Sequence, residues 1–139
     1  MEMMMHEQWK KWAPIDGLSP RYYIEAIHDI MDGFSIILVP DEDTTSKVII
    51  AFENSVEAYR ATDESFRQKT LLKLSREHGI GLLGQWALFK VHNSSYIHWV
   101  SEESFNITGS LQLQHFVFIG GNQIVDVLST DEPKIELIE

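Results

Sequence analysis

The sequence predicts an α+β domain in which a mainly antiparallel β-sheet carries two helices. Short apolar segments rich in β-branched and aromatic residues follow one another through turns and do not alternate with helices. Residues 65–78 and 94–104 combine helix-start signals with helical spacing of apolar residues and predict the two helices. The length of 139 residues indicates a single domain, 1–139, in which residues 1–20 form a loosely packed lead-in anchored by tryptophans.

The first third of the chain contains one segment with two interpretations. Residues 21–31, "RYYIEAIHDIM", fit a helix that begins after a serine and a proline, and they also alternate as a strand. Asp32-Gly33 stands directly before the apolar "FSIILVP" and is a strong hairpin signal, so we prefer a β-hairpin. The stretches "SKVIIAFE" and "SVEAYR" predict the next two strands, separated by a turn.

The first helix is predicted from its start signals. Ser65 and Gln68 have the spacing of a capping box, and acids precede them where the positive end of the helix dipole favours negative charge. Phe66, Leu71 and Leu74 fit the inner face of this helix.

The rest of the chain predicts one more helix and four strands. "WALFKV" predicts a strand, and the serines after it offer caps for the helix at 94–104. "LQLQHFVFI" and "QIVDVLS" predict two strands joined by the turn Gly120-Gly121-Asn122. "KIELI" predicts an edge strand at the end of the chain.

Charge and composition exclude several classes of function. The net charge is −10, whereas a nucleic-acid-binding protein needs a cationic footprint, so no nucleic-acid partner is expected. The same charge disfavours an anionic membrane surface, and no segment is apolar enough to cross a bilayer. The chain has no cysteine and no pattern of a secretory signal, so we expect a cytoplasmic protein.

Arg60 and Asp126 stand out because each places a charge on an otherwise apolar strand face. A buried guanidinium needs a carboxylate partner, so Arg60 is expected to form a structural ion pair with Asp126 or with Glu64, which would lock the joint between strand and helix. The alternative is a polar pocket that also includes Tyr59 and Asp63. If the pair is internal, Arg60→Ala is expected to cost about 3–5 kcal/mol of stability.

No motif for catalysis, a cofactor or a metal is found. The six histidines include no H-x-x-x-H pair, and the chain has neither a nucleotide-binding glycine motif nor a G-x-S-x-G elbow. Adjacent Glu102 and Glu103 point about 100° apart on a helix and do not converge. We therefore expect no catalytic residue, no cofactor and no metal, and each histidine is interpreted as a satisfied or surface residue.

Three stretches carry a family resemblance, which spans roughly residues 20–138. "AFENSVEAYRATDESFR", "FKVHNSSYIHWVSEES" and "HFVFIGGNQIVDVLSTDEPKIELI" resemble small acidic proteins of Gram-positive bacteria, many of them uncharacterised, that include immunity proteins of polymorphic toxin systems. The resemblance implies a non-enzymatic protein that binds and occludes a toxin, for which a basic protein is the candidate. It also implies an acidic surface with aromatic anchors, for which the candidates are Tyr59, Asp63, Glu64, Glu102 and Glu103.

Two functions thus follow from the sequence. The first is a protein-binding module, an immunity protein that blocks a toxin sterically and electrostatically. The alternative is a small-molecule or peptide-binding domain with a pocket near Arg60 and Asp126. The oligomeric state is left open, and a homodimer is compatible with either function.

Overall fold

The fold is built from two antiparallel sheets, and the computed structural model describes residues 6–43, 45–78 and 84–139. The predicted α+β class with two helices is confirmed. The strands are β1 (Gln8–Lys11), β2 (Tyr22–Ile30), β3 (Gly33–Pro40), β4 (Lys47–Phe52), β5 (Val56–Asp63), β6 (Leu88–His92), β7 (Gln114–Ile119), β8 (Gln123–Ser129) and β9 (Lys134–Ile138). The helices are α1 (Gln68–His78) and α2 (Ser95–Glu103). Two 3-10 turns cover Glu64–Phe66 and Ile107–Ser110.

The two sheets pack on each other through their apolar faces. The five-stranded sheet has the order β1-β6-β7-β8-β5, and the four-stranded sheet has the order β2-β3-β4-β9. Phe52 from the second sheet contacts Phe116 from the first, with ring centroids 5.6 Å apart. The strands expected in one sheet therefore form two layers, because each apolar face is buried by the other.

The other face of the five-stranded sheet carries a second apolar cluster. Leu74 of α1 packs there with Trp9, Phe89, Val117 and Ile124, all of them buried. Helix α1 thus covers the sheet on the side that faces away from the sandwich. We refer to this side as the outer face.

Turn chemistry explains where several elements begin. The preferred hairpin between β2 and β3 is confirmed, and Gly33 adopts φ of +138°, a conformation that side-chain-bearing residues rarely adopt. The capping box at Ser65 is wrong, because Asp63 accepts the backbone N–H of Ser65 and caps a 3-10 turn, while α1 begins only at Gln68. Phe66 lies in this turn and is 80% exposed, so its predicted inward position is also wrong.

The predicted lead-in is tied into the fold. Strand β1 pairs with β6, and Trp9 and Trp12 are buried, as anchors would be. Glu7 accepts the backbone N–H of Ser95 at 2.8 Å and so connects the start of the chain to the start of α2. No helix within the described ranges is long and apolar enough to span a membrane.

Candidate functional site

Arg60 and Asp126 meet on the outer face of the five-stranded sheet. They are directly opposite each other in the pairing of β5 with β8. Nε of Arg60 donates a hydrogen bond to Oδ2 of Asp126 over 3.1 Å. The Asp126 carboxylate is fully buried, whereas the Arg60 side chain is 42% exposed. The pair therefore reaches from the interior to the surface.

Asp126 has two further partners. Arg67, just before α1, donates to the same Oδ2 atom over 2.6 Å, and its side chain is only 12% exposed. His115 of β7 has its Nε2 2.7 Å from the other oxygen, Oδ1. The Asp126 carboxylate thus binds two guanidinium groups and an imidazole from three other segments of the chain.

The network continues from His115 to the start of α2. Nδ1 of His115 lies 2.7 Å from Oγ of Ser94, and the same Oγ accepts the backbone N–H of Ile97 as the cap of α2. A neutral imidazole with its proton on Nε2 satisfies every partner, because Ser94 then donates its hydroxyl proton to Nδ1. The network therefore fixes the position of α2 against the sheet.

Opposing effects act on the pKa of Asp126. Burial raises the pKa of this carboxyl, but the hydrogen bond and the electrostatic interaction with His115, followed by the charges of Arg60 and Arg67, together hold it well below its ordinary value. Burial also raises the pKa of the Tyr96 hydroxyl, opposed by the Arg60 charge and assisted by Asp126. The Arg60 guanidinium lies over the Tyr96 ring, 4.3 Å from its centroid.

Ser94, His115 and Asp126 have the residue types of a hydrolase triad, but their arrangement differs from it. In such a triad the serine faces Nε2 and the acid faces Nδ1, whereas here the two are exchanged. Ser94 is only 6% exposed, and its oxygen is engaged as the helix cap. This geometry is that of a structural hydrogen-bond chain, although Ser94 and His115 do line a small pocket of about 230 Å³.

A larger groove of about 940 Å³ opens beside Arg60. One wall is the end of the β2–β3 hairpin, a second is α2, and the floor is β5 with the turn before it. Tyr59 and Trp99 line it with exposures of 38% and 57%. The full lining consists of Asp29, Ile30, Gly33, Phe34, Asn54, Val56, Glu57, Ala58, Tyr59, Arg60, Tyr96 and Trp99.

The partner-binding residues predicted from the sequence do not form one surface in the structure but lie at separate places. Tyr59 lies in the groove, where its ring packs against Phe34 with centroids 4.6 Å apart. Asp63 caps the turn that follows β5, and Glu64 lines a separate, smaller pocket of about 200 Å³. Glu102 and Glu103 are exposed at the end of α2 and line neither pocket. Of these five residues, the groove therefore contains only Tyr59.

Several residues of the site were not anticipated from the sequence. His115 and Asp126 could have been matched, because counting outward from the turn at Gly120-Gly121 places them on the same face of the β7–β8 hairpin. Arg67 carries no such signal, because its position depends on the 3-10 turn before α1. Tyr96 and Trp99 fit the apolar side of a short helix and gave no sign of lining a groove.

Comparison with known protein families, with curated proteins and with solved structures finds no match to this chain. In the described ranges, no group of three or more histidine or acidic side chains is placed to hold a metal ion. The site is therefore interpreted from its own geometry.

Proposed function

We propose that this protein is a non-enzymatic binding module that occludes a protein partner, in the manner of an immunity protein that neutralises a bacterial toxin. Its partner surface is the groove beside β5. The action is steric and electrostatic, takes place in the cytoplasm and involves no turnover.

The observation that carries this proposal is the exposure of aromatic and apolar side chains in a concave surface. Trp99 is 57% exposed and Ile30 is 63% exposed, and both line the groove together with Tyr59. Aromatic residues dominate the binding energy of protein interfaces, and they do so where the partner excludes water from them. A concave surface with such residues supports binding of a partner.

The charge of the molecule favours a basic partner. A net charge of −10 attracts a positively charged protein from a distance and repels other acidic ones. The resemblance to immunity proteins leads to the same expectation. The long-range attraction raises the rate of association, while the groove supplies the short-range contacts.

A second candidate is a small-molecule or peptide ligand. The groove volume of about 940 Å³ suits such a ligand, and Arg60 provides a charged group at its edge. This candidate uses the same surface and differs in the size of what is bound.

The test is a capture experiment with matched variants. Tagged wild-type protein, Trp99→Ala and Leu72→Ala are incubated with extract of the source cells at low and moderate salt. Leu72 is 52% exposed and does not line the groove, so its variant controls for loss of an exposed apolar side chain. The captured partner is then expressed alone and together with each variant, and growth of the host is measured.

We expect wild type and Leu72→Ala to capture a basic protein that arrests growth, and to restore growth when co-expressed. Trp99→Ala is expected to weaken capture by about 2 kcal/mol, as truncation of an interface hot spot does. A partner that is harmless, or that Trp99→Ala captures equally well, contradicts the proposal. A small molecule that raises the melting temperature, with no protein captured, favours the second candidate.

A further inference from the structure

The groove follows the free edge of β5. Five consecutive residues, from Val56 to Arg60, line it, although successive side chains in a strand point to opposite faces of a sheet. A groove that contacts all of them therefore lies along the edge of the strand. In the described part of the chain, β5 is the last strand of its sheet, with β8 on one side and no strand on the other.

The two walls of the groove differ in chemistry. On the sandwich side, Tyr59 contacts Phe34, and Ile30 lies close by in the same wall, which makes this side apolar. On the outer side, Arg60 lies over Tyr96, with Trp99 beyond it. A strand added to this edge would place alternate side chains against these two walls.

Arg60 is held in a fixed orientation with its outer end unused. Its Nε is engaged by Asp126, and its guanidinium plane is held by the Tyr96 ring. Among the described residues, its two terminal nitrogens form no hydrogen bond, and Asp126 is the only acid within ion-pair distance. A planar pair of N–H donors of this kind matches the two oxygens of a carboxylate.

The charges around Asp126 are not balanced. Arg60 and Arg67 carry two positive charges against the single negative charge of Asp126. Because every member of this cluster except Arg60 is largely withdrawn from water, the excess positive charge favours a nearby anion. Arg60 is the member of the cluster that lines the groove, so the anion is expected there.

We propose that an extended segment of the protein partner pairs with the free edge of β5 and places the carboxylate of a Glu or Asp side chain on Arg60. This inference rests on the proposed function, since the segment belongs to the occluded protein. The regular part of the edge lies after the bulge between Val56 and Ala58, so pairing begins in the groove at Ala58–Arg60 and continues beyond the groove to Asp63. The residues that flank the acid on the segment contact the apolar wall.

Charge complementarity further restricts which charges the bound segment carries. Asp29 and Glu57 also line the groove, and both are exposed. A segment with one acid among basic residues satisfies Arg60 and these two acids at once, which agrees with a basic partner. A second copy of this chain is disfavoured on this edge, because each copy has a net charge of −10.

The test selects ligands from a displayed library of random linear peptides, using the full chain as bait. Wild type, Arg60→Met and Arg21→Met are compared. Arg21 is exposed and does not line the groove, so its variant makes the same change of charge elsewhere. Selected peptides are synthesised, their affinities are measured, and amide chemical shifts of the labelled protein locate where they bind.

We expect wild type and Arg21→Met to select peptides with one acid at a constant position, flanked by apolar and basic residues. Such peptides shift the amides of Ala58–Asp63, and Arg60→Met binds them at least about tenfold more weakly, the loss of a charge-assisted pair. A melting curve of Arg60→Met that remains cooperative excludes unfolding as the cause of the loss.

Four results overturn the inference. They are selected peptides without a constant acid, equal affinity for Arg60→Met, shifts confined to other strands, and concentration-dependent self-association through β5. If the cellular partner is captured in a Trp99-dependent manner while the inference fails, the proposed function stands and only this mode of binding is rejected. If no partner is captured at all, the proposed function fails independently of the peptides.

Discussion

The two faces of the five-stranded sheet bury their side chains to the same extent but by different means. On the sandwich face, Phe116, Phe118 and Val125 are fully buried and entirely apolar. On the outer face of the same strands, His115 and Asp126 are equally buried and are held by hydrogen bonds. Burial on the first face is driven by removal of apolar area from water, which has no direction. On the outer face, the apolar cluster under α1 lies beside a network around Asp126 that depends on directed contacts.

The difference predicts which face tolerates change. In the described residues, no buried side-chain nitrogen or oxygen lacks a hydrogen-bond partner, so the buried part of the polar network has no spare group. Removing one member leaves the others buried without a partner, which costs more than an apolar change of similar size. The outer face should therefore be the less tolerant one.

The largest effect is expected from an isosteric change on the outer face. Among the described residues, Asp126 is the only acid within ion-pair distance of Arg67. Asp126→Asn removes its charge, and we expect a loss of about 3 kcal/mol or more, as when a buried ion pair loses one member. Leu88→Met, a conservative change at a fully buried site on the sandwich face, is expected to cost less than about 1.5 kcal/mol. Urea unfolding at neutral pH measures both. Equal losses would contradict the contrast between the faces.

Local signals in the sequence account for much of this architecture. Alternating apolar residues and turn residues such as Asp32-Gly33 could be predicted to form hairpins, because strand period and turn chemistry act over a few residues. The division into two sheets could not be predicted. The turn at Glu53-Asn54 is as short as that of a hairpin, yet β4 pairs with β9 and β5 pairs with β8, both of them remote in sequence.

The candidate site, like the fold, could be predicted only in part from the sequence. The pairing of Arg60 with Asp126 could be anticipated, because each residue places a charge on an otherwise apolar strand face. The presence of Arg67 could not, since it depends on how the chain turns before α1. The expectation of 3–5 kcal/mol for Arg60→Ala assumed one arginine for one aspartate, and the structure has two.

A smaller effect is expected when the two arginines that bind Asp126 are substituted one at a time. Arg67 is 12% exposed and also donates to Thr70, whereas Arg60 is 42% exposed and retains water on its outer side. We expect Arg67→Met to cost about 2–3 kcal/mol and Arg60→Met about 1 kcal/mol, because exposed ion pairs contribute little. Urea unfolding measures the loss of stability in each of the two variants. The comparison requires that the dependence of the unfolding free energy on urea concentration is the same as in wild type. A larger loss for Arg60→Met would mean that Arg60 carries the structural role and would weaken its assignment to the groove.

The smallest expected effect is a loss of stability at low pH. The pKa of Asp126 is lowered in the folded protein, so its contribution to stability is present above the pKa of the unfolded chain, near 4, and is lost as the pH falls towards the folded value. By pH 3 this loss amounts to about 1 kcal/mol, and it is absent from Asp126→Asn. Glu7 and the other acids with lowered pKa values remain in both proteins, so the difference between their stability–pH curves isolates Asp126.

Leu88→Met is the control for this acid effect, because the described buried residues that cluster with Leu88 on the sandwich face include no acid and no histidine. Its stability should fall with pH in parallel to wild type, displaced by a constant amount. If Asp126→Asn also runs parallel to wild type below pH 4, then Asp126 is not held ionised by its arginines. The contrast between a directed polar face and an undirected apolar one would then rest on hydrogen bonds without charge.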